Sequence, residues 1–390
     1  MEKSQIITLV VFLLFGFIVS ANAVYNINVV NYGAKTDGKT DSTKAFLTAW
    51  NLACSKTQSV KIYVPNGRYL LKQITFQGPC RNNATSFMID GTLVAPSYKV
   101  LGNAPIWIFF YKVTGLSISG GTLDAQGASF WACRRTGKSC PSGARSLGFN
   151  FGTKITVKGL TSINSQIMHI SINNCNNLLM QGLKIVAPND SPNTDGIHIQ
   201  LSTGVTITGT SIKTGDDCVS IGPGTRNLWI EGSTCGPGHG ISIGSLGQNK
   251  VEQGVQNVTV KNVVFTGSEN GLRIKTWARP SNGFVRGVLY QDIIMRNVMN
   301  PILINQHYCP GNKGCPSHES GIKISQVTYR NIQGSSASQV AMKFDCSRTN
   351  PCKDIKLQTV KLTYQNTAAK STCLNAFGAS TGSVSPQSCL

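Results

Sequence analysis

The sequence predicts an all-β protein: a single-domain, right-handed parallel β-helix with a short N-terminal capping helix. Three observations carry that expectation. A short apolar pattern returns along most of the chain, 40 glycines and many asparagines fall between its copies, and long helical patterns are few.

The chain opens on a segment to be set aside. Lys3 precedes an apolar run over residues 6–19, followed by Ala21, Asn22 and Ala23. This is the pattern of a secretory signal peptide, residues 1–23, cut after Ala23. The run is too short to span a bilayer, which needs about 20 apolar residues. The expected product is a secreted protein without a membrane segment. Residues 24–390 contain no Pro-, Ser- or charge-rich linker and are expected to form one β-helix domain.

The first element after the leader is helical. "STKAFLTAWNLAC", residues 42–54, sets Phe46, Leu47, Trp50 and Cys54 along one face, which suits a cap on the open end of a stack. Then come the repeats: "LSISGGTL" at 116, "ITVKGLTS" at 155, "LLMQGLKI" at 178, "VTITGTSI" at 205, "LWIEGSTC" at 228 and "VTVKNVVF" at 258. Weaker copies begin at Val288, Ile322 and Ile355, and the separations run from 23 to 39 residues. Each copy alternates with period two and is rich in Val, Ile and Thr, so each is a short strand. Strands that recur at such a period bury one row of side chains against the next coil. A leucine-rich repeat would need its Leu and Asn consensus, and a β-sandwich would need regular hairpin turns. The sequence has neither.

A second strand set lies between those copies: "TDGIHI" from 194, "DDCVSI" from 216, "GHGISI" from 238, "ENGLRI" from 269 and "MNPILI" from 299. In this alignment Asp195, Asp217, His239 and Asn270 share one column, and His198, Ser220, Ser242 and Arg273 share another. Stacked coils bring column neighbours to about 4.8 Å. Asp195, Asp216, Asp217, His239, Arg273 and Lys275 then converge on one patch. Three carboxylates so close cannot all be comfortably ionised, and at least one pKa should rise, leaving a proton available for general acid chemistry.

Composition narrows the partner. Asp and Glu number 16 against 36 Lys and Arg, a formal net charge of +20, which favours a polyanionic partner. No RNP, helix-turn-helix or zinc-finger spacing is present, so the reading is no nucleic acid. The 13 cysteines suit an oxidising compartment. Short separations pair Cys133 with Cys140, Cys218 with Cys235, Cys309 with Cys315, Cys346 with Cys352 and Cys373 with Cys389, leaving Cys54 for Cys80 and Cys175 as a buried free thiol. No CxxC pair has metal-site spacing, so no metal and no cofactor is expected. Sequons at Asn83, Asn189 and Asn257 fit a secreted glycoprotein, and the basic insert at residues 132–146 is expected to shape a cleft wall.

The segments "NTDGIHI" at 193, "GDDCVSIG" at 215, "GHGISIGSLG" at 238 and "RIKTW" at 273 resemble the four signature segments of the polygalacturonases, the pectin-degrading glycoside hydrolases of β-helix fold. The likeness runs over nearly the whole mature chain, and the pollen-type exopolygalacturonases of plants are the most similar kind. The resemblance implies a cell-wall enzyme, a monomer, acting on polygalacturonate or demethylated pectin with inversion and releasing galacturonic acid from chain ends. It implies Asp216 as the general acid, Asp195 and Asp217 as activators of water, and His239 as a support to the acid. Arg273 and Lys275 match a pair that grips the substrate carboxylate, and Tyr308 matches a tyrosine lining the site. Carboxylates on neighbouring coils about 5 Å apart would by the general rule suit retention. Water held between Asp195 and Asp217 supplies a nucleophile without a covalent intermediate, which favours inversion. The competing readings are an endo-acting enzyme, a calcium-dependent pectate lyase and a non-catalytic polyanion-binding wall protein. A protonated acid also calls for a mildly acidic optimum.

Overall fold

The computed structural model describes residues 24–137 and 139–390, so the leader expected at residues 1–23 lies outside the described residues. Among them, two sheets of 20 and 11 strands run the length of the molecule, with every pairing parallel except a short antiparallel turn at Tyr364 and Thr367. Successive coils add one layer to both sheets, the stacked arrangement of a parallel β-helix. No helix among the described residues is long and apolar enough to cross a membrane.

Period-two alternation builds the interior. In the smaller sheet Phe149, Ile172, Ile199, Ile221, Ile243, Ile274 and Ile304 stand in consecutive register, and all are buried. Each β-branched side chain covers the one beneath it, so the core is a set of stacked rows rather than a central cluster.

The abundance of Asn and Gly has a backbone cause. Lys154, Asn177, Gly204, Asn227, Asn257, Gly287, Gln326 and Asp354 follow one another by register, and all have φ between 53° and 66°. The coil turns a corner there in the left-handed region, which Gly enters freely and Asn tolerates best among the rest. Asn257 also donates its side-chain amide to Asn227 at 3.1 Å, tying neighbouring coils along the corner.

The repeat expected at Ile322 is shifted. Val288 pairs with Val327, and Val327 with Ile355, so the eighth copy begins five residues later. The stretch "IKISQVTYRNI" carries two apolar frames, and the frame Val327, Tyr329, Ile332 matches Val288, Tyr290, Ile293 in the coil below.

The capping helix is present as Thr43–Ser55. Its buried face is Phe46, Ala49, Trp50 and Ala53, while Leu47 and Cys54 sit at the margin, because small alanines let the helix settle closely on the first coils. Trp50 packs on Phe76, Phe87 and Phe110 and donates its indole N–H to Gln77. All six expected disulfides form. Cys175 is free and buried, and its burial pushes the thiol up to about 11, which makes it inert.

Candidate active site

The expected columns are formed. His198, Ser220, Ser242 and Arg273 stand in direct register across four strands of the smaller sheet. Three residues earlier, Asp195, Asp217, His239 and Asn270 continue the same register, held by backbone bonds from Gly196 to Asp217 and from Cys218 to Gly240. The chain enters these strands through glycines that only glycine can supply. Gly238 and Gly240 flank His239 with φ of 138° and 86°, and a Cβ on Gly240 would lie 2.2 Å from the Asn270 carbonyl oxygen.

A cleft of about 480 Å³ opens over these strands, lined in part by Asp195, Asp216, Asp217, His198, Gln200, Lys275 and Tyr308. The three carboxylates meet very different surroundings. Asp217 has a side chain only 1% exposed; its Oδ1 accepts from Arg273 Nη2 at 2.7 Å and from Ser242 Oγ at 2.8 Å, and its Oδ2 from Lys275 Nζ at 2.8 Å. Burial alone would raise its pKa, but Lys275 and Arg273 outweigh that and hold it below the usual carboxylate range.

Asp195 is 6% exposed and has no such cation on its oxygens among the described residues. Burial first, and then the neighbouring charges of Asp216 and Asp217, push its pKa up to about 8. These surroundings favour the neutral form of Asp195. Asp216 is the most open of the three at 18% side-chain exposure. Its Oδ1 accepts from the Asp217 backbone N–H at 2.7 Å and lies 3.1 Å from His239 Nδ1. The hydrogen bond to Asp216 raises the His239 pKa against the effect of burial, and Glu269, 3.3 Å from His239 Nε2, adds to the rise.

The expected substrate cations are placed differently from one another. Lys275 lines the cleft, with its Nζ 5.3 Å from the centroid of the Tyr308 ring, while Arg273 lies buried beneath the carboxylates with its guanidinium on Asp217 and Ser242. Tyr308 stands at the cleft wall in edge contact with Trp277.

Three neighbours were given no role from the sequence. His198 lines the cleft with Nδ1 2.8 Å from Ser220 Oγ and Nε2 3.4 Å from Gln200 Oε1; burial pushes its pKa down to about 4, so it is a neutral ring that orients polar partners. Glu269 was visible as the first residue of "ENGLRI", one column before Asn270. Arg145, by register two coils ahead of Asp195, has a half-buried guanidinium.

Ligand atoms of Asp216, Asp217 and His239 all lie within 4.8 Å of one another, close enough to hold a cation. Both Asp217 oxygens, however, already receive Arg273, Ser242 and Lys275, and His239 Nδ1 faces Asp216. The local field is balanced by protein cations, which makes the trio an acid–base cluster better than a metal cage.

Comparison with known proteins shows the family and the fold. The family model described as glycosyl hydrolases family 28 matches residues 54–389, and one described as rhamnogalacturonase A/epimerase, pectate lyase-like, matches residues 26–78. A polygalacturonase of Prunus persica is 60% identical over 365 residues, 93% of each chain. An exopolygalacturonase of Platanus acerifolia is 41% identical over 361 residues, 91% of this chain and 95% of that one. Among solved structures, the polygalacturonase of Erwinia carotovora superposes with a TM-score of 0.70 at 25% identity, covering 89% of this chain and 96% of that one. With the carboxylate cluster, the β-helix and a family match over most of its length, the chain belongs to the polygalacturonases, glycosyl hydrolases family 28.

Proposed function

We propose that the protein is a secreted cell-wall exopolygalacturonase that hydrolyses α-1,4-galacturonosyl linkages of polygalacturonate and demethylated pectin with inversion. The observation that carries the chemistry is the partition of three adjacent carboxylates into one half-buried at the cleft and hydrogen-bonded to His239, one neutralised by Arg273 and Lys275, and one whose burial raises its pKa. Asp216 faces the cleft and transfers a proton to the glycosidic oxygen as its bond to the anomeric carbon breaks. Water held between Asp195 and Asp217 attacks that carbon from the other face and gives its proton to the carboxylate pair. His239 shares a proton with Asp216 and refills it after turnover. Lys275 and Tyr308 present a cation and an aromatic face to the sugar acid.

One observation favours a second assignment. Burial and neighbouring charge push the Asp195 carboxyl up to about 8, which also suits it to hold the acid's proton. A substrate with a leaving group that needs no protonation separates the two assignments. Asp216→Asn should lower hydrolysis of polygalacturonate about 10³-fold and retain turnover of nitrophenyl galacturonide. Retention by Asp195→Asn in its place would exchange the roles.

Exo action is supported by the name of the Platanus relative and by an outgrowth that packs near the segment leading into Asp195. There the helix Ala128–Arg135 and the Cys133–Cys140 disulfide stand beside residues 187–193, with Arg135 ion-paired to Asp190. The deciding assay is the secreted protein on polygalacturonate in a chelator, following reducing ends, viscosity and product length. Galacturonic acid from the start with slow loss of viscosity is the expected result, and NMR should find the inverted anomer first. Mixed oligomers with a fast viscosity drop mean endo action. No product at all means the binding protein, and unsaturated product restored only by calcium means the lyase.

A further inference from the structure

Arg145 is a cation without a counter-charge at the edge of the site. It opens the strand Arg145–Asn150, and the register Leu147, Ile170, Ile197 carries Arg145, Met168 and Asp195 into one column. Two strand spacings, about 10 Å, therefore separate Arg145 from Asp195 at the backbone. The long stem of Arg145 shortens that gap, and the Asp195 charge favours the charged guanidinium.

Its contacts leave the charge unanswered. Arg145 Nε lies 3.4 Å from Met168 Sδ, a weak acceptor, and among the described residues no carboxylate comes within 4.0 Å of the guanidinium. The group is half-buried, and burial disfavours its charged form. A partly desolvated cation with no acceptor is costly unless an anion completes it. Met168, against which it rests, lines the cleft together with Asn193 and Asp195, so the vacant acceptor position adjoins the sugar path.

The rest of the site sharpens the need. Arg273 and Lys275, the other cations of these columns, already receive Asp217. A uronate unit arriving beside Asp195 brings a further negative charge to a place that holds two more acids, and Arg145 is a cation there with no carboxylate partner among the described residues.

We propose that Arg145 is a specificity-determining residue that binds the carboxylate of the galacturonate unit on the Asp195 side of the cleaved bond. This rests on the reading of polygalacturonate as substrate. A guanidinium donates two parallel N–H···O bonds to a carboxylate, which fixes the ring's orientation and discriminates a free uronate from its methyl ester.

The test uses the Asp216→Asn protein, so that ligands are bound and not consumed, and compares trigalacturonate with its trimethyl ester. Adding Arg145→Gln should weaken trigalacturonate about 10- to 100-fold and leave the ester within about twofold, while Arg145→Lys should recover part of the difference. Equal losses for both ligands, or no loss for either, would assign Arg145 a merely structural part and overturn the proposal. A measurement on the Asp216→Asn protein with Arg145 in place guards against misfolding of the Arg145 variants. Trigalacturonate, and not the ester, should slow phenylglyoxal modification of the peptide containing Arg145, read by mass spectrometry; equal protection by both overturns it as well. Hydrolysis of polygalacturonate by the unsubstituted enzyme is scored separately. Its absence removes the substrate reading itself, whereas its presence with indifferent Arg145 removes only this residue's role.

Discussion

At the residue scale, Asp195 links chemistry to stability. A carboxyl whose folded pKa lies near 8, against an ordinary value of 3.8, binds more protons in the folded than in the unfolded state between those limits. The folded protein therefore loses stability as pH rises from about 4 to about 8 and is unaffected by this group beyond. Asn cannot ionise and removes the loss. Asp195→Asn should raise the unfolding temperature relative to the parent by an amount that grows across that window and corresponds to at least about 1 kcal/mol by pH 8, while abolishing hydrolysis. A difference independent of pH, followed by calorimetry, would show that Asp195 is ionised in the folded protein throughout. Asp217 works in the opposite sense, since Lys275 and Arg273 hold its pKa down and their benefit fades only as it becomes protonated in acid. The sequence alone disclosed that three acids must share charge, because adjacency and column are sequence properties. Which of them takes the proton depends on where Arg273 and Lys275 point, and that is set by side-chain packing across 56 and 58 residues of chain.

At the element scale, corners matter as much as strands. Asn227 turns its coil at φ 53°, accepts from Asn257 and is followed by the buried Leu228. A β-branched residue meets steric conflict in that backbone region at a cost of roughly 1–2 kcal/mol. Asn227→Val should lower stability by about that amount in denaturant titration, and Asn227→Gly by less than half as much. Equal losses would mean that the amide ladder, not the backbone corner, is what Asn227 contributes. Strand existence was legible here because period-two rows of Val and Ile survive any corner. Frame was less legible, as the shift from Ile322 to Val327 illustrates: both frames are apolar, and only contact with the coil below selects one. The helix Ala128–Arg135 was missed because its buried side consists of little more than Phe130 and Trp131, too short a pattern to stand out from a basic insert.

At the scale of the whole molecule, charge and columns act together. The leader carries one Glu and one Lys, so the net charge of +20 belongs entirely to residues 24–390. A field of that sign draws a polyuronate chain from solution and is screened by salt over about 8–10 Å. The value of kcat/KM for polygalacturonate should therefore fall severalfold between low and physiological ionic strength, with a much smaller change for digalacturonate. Equal salt dependence for both would confine the attraction to the cleft itself. The columns that hold Asp195, Asp217 and His239 were readable because successive copies there are spaced by a constant 22 residues. Arg145 belongs to the same column yet escaped notice, since "GARSLGF" and "QIMHISI" share its register without sharing the Asp-Gly or His-Gly that made the others align.

Register also frees chain length from position. A coil must return to its row, yet it can carry any number of residues between rows. The two longest coils, Leu116 to Ile155 and Val288 to Val327, take 39 residues each. The first holds the helix with the Cys133–Cys140 loop, and the second holds Tyr308 and the Cys309–Cys315 loop. The added length thus lies before and after the coils of the reaction centre. Bond cleavage and the choice of polymer length are separable traits in this architecture, so exchanging one outgrowth should retune what enters while the carboxylates stay where they are.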